Sequence, residues 1–212
     1  MTVKRLLPSL LASTLLLSAG HALAGSDLSV TGRIQSGACN LTLSNGGTID
    51  LGTISRKDLK ESEETFLARP TVTLAIDCQT PAKVAIKAIN NREAVVDQWG
   101  MARYGLGPAG SKSQSSFYFL PYNRFGDGKP LLQLYSENGG QSWQAIGPAN
   151  TAHWMNPSSL TAWAEEGESL PQAFRTIRSA LIVPIYVPAA RDLDLSQEIN
   201  LDGSATLELV YL

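Results

Sequence analysis

The chain has 212 residues, with 17 Lys and Arg against 19 Asp and Glu and a formal net charge of −2 at pH 7. That length suits one domain with a proper core. The acidic balance argues against nucleic acid as a partner, because neutralising phosphates calls for a basic surface.

The first residues point to export. "MTVKR" is a short basic head, "LLPSLLASTLLLSAG" an apolar run, and "ALA" at Ala22 to Ala24 places small residues at a cleavage site. These are the three regions of a secretory signal. Pro8, Ser9, Ser13 and Thr14 interrupt the run, which is short for a membrane span. The expected signal is residues 1–24. Its removal takes away Lys4 and Arg5 and leaves 15 basic against 19 acidic side chains.

Strands with turn punctuation follow. "LSVTGRI" alternates, with Leu28, Val30, Gly32 and Ile34 on one face. "CNLTL" puts Cys39, Leu41 and Leu43 together, and "SNGG" after it is a turn signal. "TIDLGTI" reads as a short strand, and "SRKDLKESEE" as a loop or a single helical turn. "PTVTLAIDC" alternates, with Val72, Leu74, Ile76 and Cys78 inward. "QTPAK" reads as a turn into the strand "VAIKAI". The middle, roughly residues 90 to 165, is read as a long irregular stretch rich in Gly, Pro, Asn and Ser. "EGESLPQAF" reads as a loop. "SALIVPIYVP" is strand-like, with Pro184 and Pro188 suited to an edge or a bulge. "LDLSQEINLDG" adds alternation and a turn, and "GSATLELVYL" is a terminal strand with Leu207, Leu209 and Tyr211 on one face. The pattern predicts an all-β antiparallel sandwich or barrel.

Cys39 and Cys78 are the two cysteines. In an oxidising compartment one disulfide between them is the expectation, with two free buried thiols as the alternative. Both sit on the inward parity of their strands, as a bridge across a core would need.

No catalytic, metal or cofactor set emerges. "GLGPAG" matches a dinucleotide fingerprint formally, but Pro108 lies inside it and no βαβ unit surrounds it. "NLT" at Asn40 to Thr42 is a sequon within a strand. His153 stands alone in "NTAHWMNP", without an acid near it or a nucleophile elbow. The acidic clusters lack the spacing of a calcium loop. The expectation is therefore no enzyme, no metal and no cofactor. Phe117, Phe119, Tyr122, Phe125, Trp143, Trp154 and Trp163 read mostly as core, with a sugar-binding face as the alternative.

Three segments together, "VTGRIQSGACNLTLSNGGTIDLGTI", "VTLAIDCQTPAKVAI" and "GSATLELVYL" with its penultimate tyrosine, resemble a chaperone–usher fimbrial subunit. The middle, with "SFYFLPY" and "NGGQSW", is similar to the β-class fimbrial proteins of Gram-negative bacteria. The resemblance implies an incomplete immunoglobulin-like antiparallel sandwich, completed by a donor strand and carrying the irregular middle insertion. It implies one pilin-like domain over residues 32–212 and a candidate N-terminal donor extension at 25–31.

Carried over by residue, Cys39 and Cys78 form the disulfide, and Leu28, Val30 and Gly32 are donor positions. Leu207, Leu209 and Tyr211 edge an acceptor groove, with Leu212 as the terminus a chaperone holds. The extension is short. Either it donates a short strand, or Gly32 is itself a donor glycine, or the chain is a terminal subunit. The implied partners are a periplasmic chaperone, an outer-membrane usher and neighbouring fimbrial subunits, in a cell-surface fimbria reached through the periplasm. The alternative function is a single-domain tip adhesin or lectin that binds a host glycan or surface receptor.

Overall fold

The computed structural model describes residues 38–97, 100–107 and 115–212. All of them belong to one unit, Gln35–Leu212. The expected signal and the candidate donor residues Leu28, Val30 and Gly32 lie outside the described residues.

The fold is all-β, and the described helices are three short 3-10 turns. Two sheets carry the strands. The larger contains β1 (Cys39–Leu43), β3 (Thr71–Ala82), β4 (Val84–Asn90), β8 (Leu120–Gly126), β9 (Lys129–Ser136), β10 (Gln144–Ile146), β11 (Leu160–Glu165), β12 (Phe174–Ile182) and β14 (Ala205–Tyr211). Its order is β1-β3-β12-β8-β9-β11-β4-β14, with β10 added beside β9. The smaller contains β2 (Thr65–Ala68), β5 (Val95–Val96), β6 (Ala102–Leu106), β7 (Ser115–Phe117) and β13 (Ile185–Val187), in the order β2-β13-β7-β6-β5. Every strand pair is antiparallel.

Alternation drives the main core. Val72, Leu74, Ile76 and Cys78 of β3 are buried while Thr71, Thr73 and Asp77 are exposed, as the period of two requires. Val84, Ile86 and Ala88 of β4 enter the same core. Ala85 faces the opposite side and joins a satellite cluster with Leu134, Leu160, Ala162 and Ala164. β4 and β11 are thus buried on both faces, which accounts for their nearly unbroken apolar runs.

Three expectations change. The "QTPAK" turn does not form: β3 runs through Pro81 to Ala82, and β4 begins at Val84. β1 pairs with β3 only as far as Cys78, so the missing amide of Pro81 costs no ladder bond on that side. "SALIVPIYVP" is two strands in two sheets, with the switch at Val183 and Pro184. The middle of the chain is not an irregular insertion. Its described residues supply β5 to β11, including the central strands β8, β9 and β11.

The β8–β9 hairpin shows why these strands form. Asp127 and Gly128 both have positive φ, 49° and 83°, the condition for a tight two-residue hairpin turn. The Asp127 carboxylate accepts from the Thr176 amide at 2.7 Å and the Arg175 amide at 3.1 Å, beside an irregularity in β12. Burial pushes the Asp127 carboxyl up, but these bonds outweigh it and hold the group below the usual carboxylate range. A Cβ on Gly126 would come within 2.7 Å of both Leu131 and Phe174, so only glycine fits there.

"TIDLGTI" packs without pairing. Ile49 and Leu51 reach the core from an irregular segment. The segment at 193–202 is likewise irregular, apart from the 3-10 turn Ala190–Asp192 before it.

Candidate functional site: an open edge between the first and last strands

β1 and β14 end the strand order of the large sheet, so among the described strands each has one paired neighbour. The sheet curls until these two edges face each other. The Cys39 amide donates to the Tyr211 hydroxyl at 2.7 Å, which joins the start of β1 to the end of β14. The two strands therefore run antiparallel, and a side chain spans the gap between them. Away from that clasp they part around a groove of about 1280 Å³, lined on one side by Leu41 and Leu43 and on the other by Ala205 and Leu207. Phe117, Phe119, Leu106 and Ile185 form its floor, and residues 49–54, Leu193, Leu195 and residues 197–204 its rim.

The walls differ from the rest of the core in one respect. Cys39, Leu41 and Leu43 on β1, and Leu207, Leu209 and Tyr211 on β14, all pack against the main core yet are only partly buried. Between them Thr206 and Glu208 are exposed. Among the described residues, two facing edges thus offer backbone without a strand partner, and half-covered apolar side chains, to the same space. Such an edge is an open template for another strand.

The disulfide fixes one wall. Cys39 and Cys78 are bonded, with S–S 2.05 Å and Cα–Cα 3.9 Å. They face each other directly in the β1–β3 register. The bridge therefore staples neighbouring strands of one sheet and does not cross the core, as the sequence reading had it. Inward parity on two adjacent, directly opposed positions brings the cysteines side by side just as surely.

Leu207, Leu209 and Tyr211 share one face of β14, and of the three Leu207 lines the groove. Leu212 lies apart from them. Its amide donates to the Lys83 carbonyl at 3.0 Å, and it is 43% exposed. It sits beside Gly140, while Val210 and Trp143 cover the satellite cluster on that outer face.

Two buried arginines had no distinct sequence signal. Arg124 on β8 is fully buried. Its guanidinium donates to the carbonyls of Pro121 at 2.9 Å, Thr151 and Pro148 at 2.6 Å, Gly147 at 3.3 Å and Leu131 at 3.4 Å. Burial pulls its pKa down to about 10, so it stays charged at neutral pH. It gathers the 147–151 loop onto β8. His153 lies beside that loop, and burial followed by the Arg124 charge lowers its pKa.

Arg103 on β6 is 3% exposed and lies between the rings of Tyr118 and Tyr186, at 4.8 Å from each centroid. It pairs with Glu64 at 2.6 Å and Asp97 at 3.2 Å. The Tyr118 hydroxyl donates to the same Asp97. Burial and that bond raise the Tyr118 pKa.

The aromatic residues do not share one surface. Phe117, Phe119 and Trp163 are core. Trp143 donates to the Gly140 carbonyl over the satellite cluster, Trp154 packs on Tyr118, and Phe125 is 42% exposed. Among the described residues no group of three or more His, Cys, Asp or Glu could hold a metal.

Known proteins resemble this chain over most of its length. Residues 28–109 match the family described as "Protein of unknown function (DUF1120)". That span ends after β6, so it includes β1 and leaves out β14. The chain is similar to "Uncharacterized protein YhcF" of Escherichia coli (strain K12), with 26% identity and coverage of 88% of this chain and 89% of the relative. It is also similar to "Protein GltF" of the same organism, with 22% identity and 88% coverage of each.

Proposed function

We propose that this chain is a structural subunit of a cell-surface fimbria, assembled through the chaperone–usher route by strand donation from chain to chain. On this reading the fold is an immunoglobulin-like sandwich lacking one strand, and the groove between β1 and β14 is the place of that strand. The supporting observation is the pair of facing, singly paired edges, whose apolar residues are only half covered. A strand added there forms backbone bonds to one or both walls and seats alternate side chains on the Phe117 and Phe119 floor, the general mode of β-augmentation. Head-to-tail donation does not close on itself, so it builds a fibre. The disulfide and the signal-like N-terminus fit export to an oxidising compartment.

Expression in a Gram-negative periplasm tests this reading. Co-expressed with a cognate periplasmic chaperone, the chain is expected as a soluble one-to-one complex. Without the chaperone it is expected to aggregate or be degraded. A lone chain that accumulates as a stable monomer contradicts the proposal.

A further inference from the structure

Beyond the groove's Leu41 and Leu207, the two walls are joined by one side chain, that of Tyr211. We infer that Tyr211 is a register stop, which fixes how far an incoming strand can slide between β1 and β14. The inference rests on the reading of the groove as a strand-acceptor site, and commits to the N-terminal segment of a second copy of this chain as the occupant.

The geometry supplies the argument. Cys39 and Tyr211 sit at matching ends of two antiparallel walls, and the phenol closes the space between them with a 2.7 Å bond to the Cys39 amide. The disulfide holds Cys39 against Cys78 of β3, and the Leu212 amide bond to Lys83 holds the residue after Tyr211. Both anchors of the clasp are therefore fixed, while the groove lies toward the other ends of the walls, where Leu43, Gly46, Gly47, Gly203 and Ala205 line it. A strand sliding in must stop at the ring. Its alternate side chains then face the inward row of Ala205, Leu207 and Leu209.

The segment "LSVTGRI" offers such a row in Leu28, Val30, Gly32 and Ile34. The chain's own copy joins the domain at Cys39, beside the closed end. Folding back along β1 would first call on the Cys39 amide, which the Tyr211 hydroxyl already takes. That favours a second copy over self-pairing.

The test uses the chain from Gly25 to Leu212 and synthetic peptides of residues 25–34, unextended or extended by Thr-Val at either end. With native Tyr211, extension toward the closed end is expected to leave Kd unchanged within twofold. In Tyr211→Leu, which keeps an apolar contact but removes the stop, the same extension is expected to tighten Kd roughly fivefold through added ladder bonds. Tyr211→Phe is the control for the hydroxyl, and hydrogen exchange at the Cys39 amide is expected to accelerate in it while exchange in β3 and β12 holds. Equal gains on extension in both chains, or an unchanged Cys39 amide in Tyr211→Phe, overturn the register stop and leave the groove reading standing. If no peptide binds either chain, both readings fall.

Discussion

Replacing Arg124 by Met is expected to cost the fold roughly 3–5 kcal/mol, because it strands several buried carbonyls at once. Methionine fills much of the same volume, so the loss reports the donors and not a cavity. Five carbonyls converge on this guanidinium, two of them at 2.6 Å, and its described partners include no carboxylate. Arg124→Lys keeps a charge but offers fewer donors in a different geometry, and should fall between the two. Urea unfolding of the three chains measures this. A Met variant within about 1 kcal/mol of the parent would show that water replaces the guanidinium at those carbonyls.

Removing the disulfide by a Cys39→Ser, Cys78→Ser double substitution is expected to cost about 4 kcal/mol on the chain-entropy estimate for a loop of this length. The two cysteines are 39 residues apart in sequence. The effect should also be local. β1 has five residues and one paired neighbour, so without the staple it should open at lower free energy than β3. Denaturant unfolding gives the global loss, and residue-level hydrogen exchange gives the local one. A loss under about 1 kcal/mol, with β1 still as protected as β3, would show that pairing alone holds this wall.

The outer parts of the fold are legible in sequence for a simple physical reason. β1, β3 and β14 each bury one face in the main core, so their side chains alternate cleanly. The middle is harder because its strands break that rule. In "NRFG" Arg124 is buried and Phe125 is exposed, the reverse of what hydrophobicity predicts. The Asp127-Gly128 turn is a strong hairpin signal, but Gly126, Gly128 and Pro130 around it give the stretch the look of a loop. β11 is buried on both faces, so it carries no period of two. Pro81 and Pro184 mislead in opposite ways, one sitting inside a strand and the other separating two sheets.

At the groove, Leu207, Leu209 and Tyr211 are readable as a row because β14 has a clear parity. Its partner row on β1 is equally readable. That the two rows face each other across a gap is not, since it depends on six strands of pairing between them. The Tyr211 bond to Cys39 joins residues 172 apart in sequence, and no local pattern announces it.

On the proposed function, this edge is open in the isolated chain and is closed by a strand from another. Residue-level amide hydrogen exchange along β1 and β14 tests it most directly, in the chaperone-released monomer and again in the assembled fibre. Fast exchange at the groove-facing amides of the monomer, slowed at least about a hundredfold on assembly while β3 and β12 change little, is the predicted result. Groove-facing amides already protected in the monomer would contradict it, because the missing strand would then be one the chain supplies to itself.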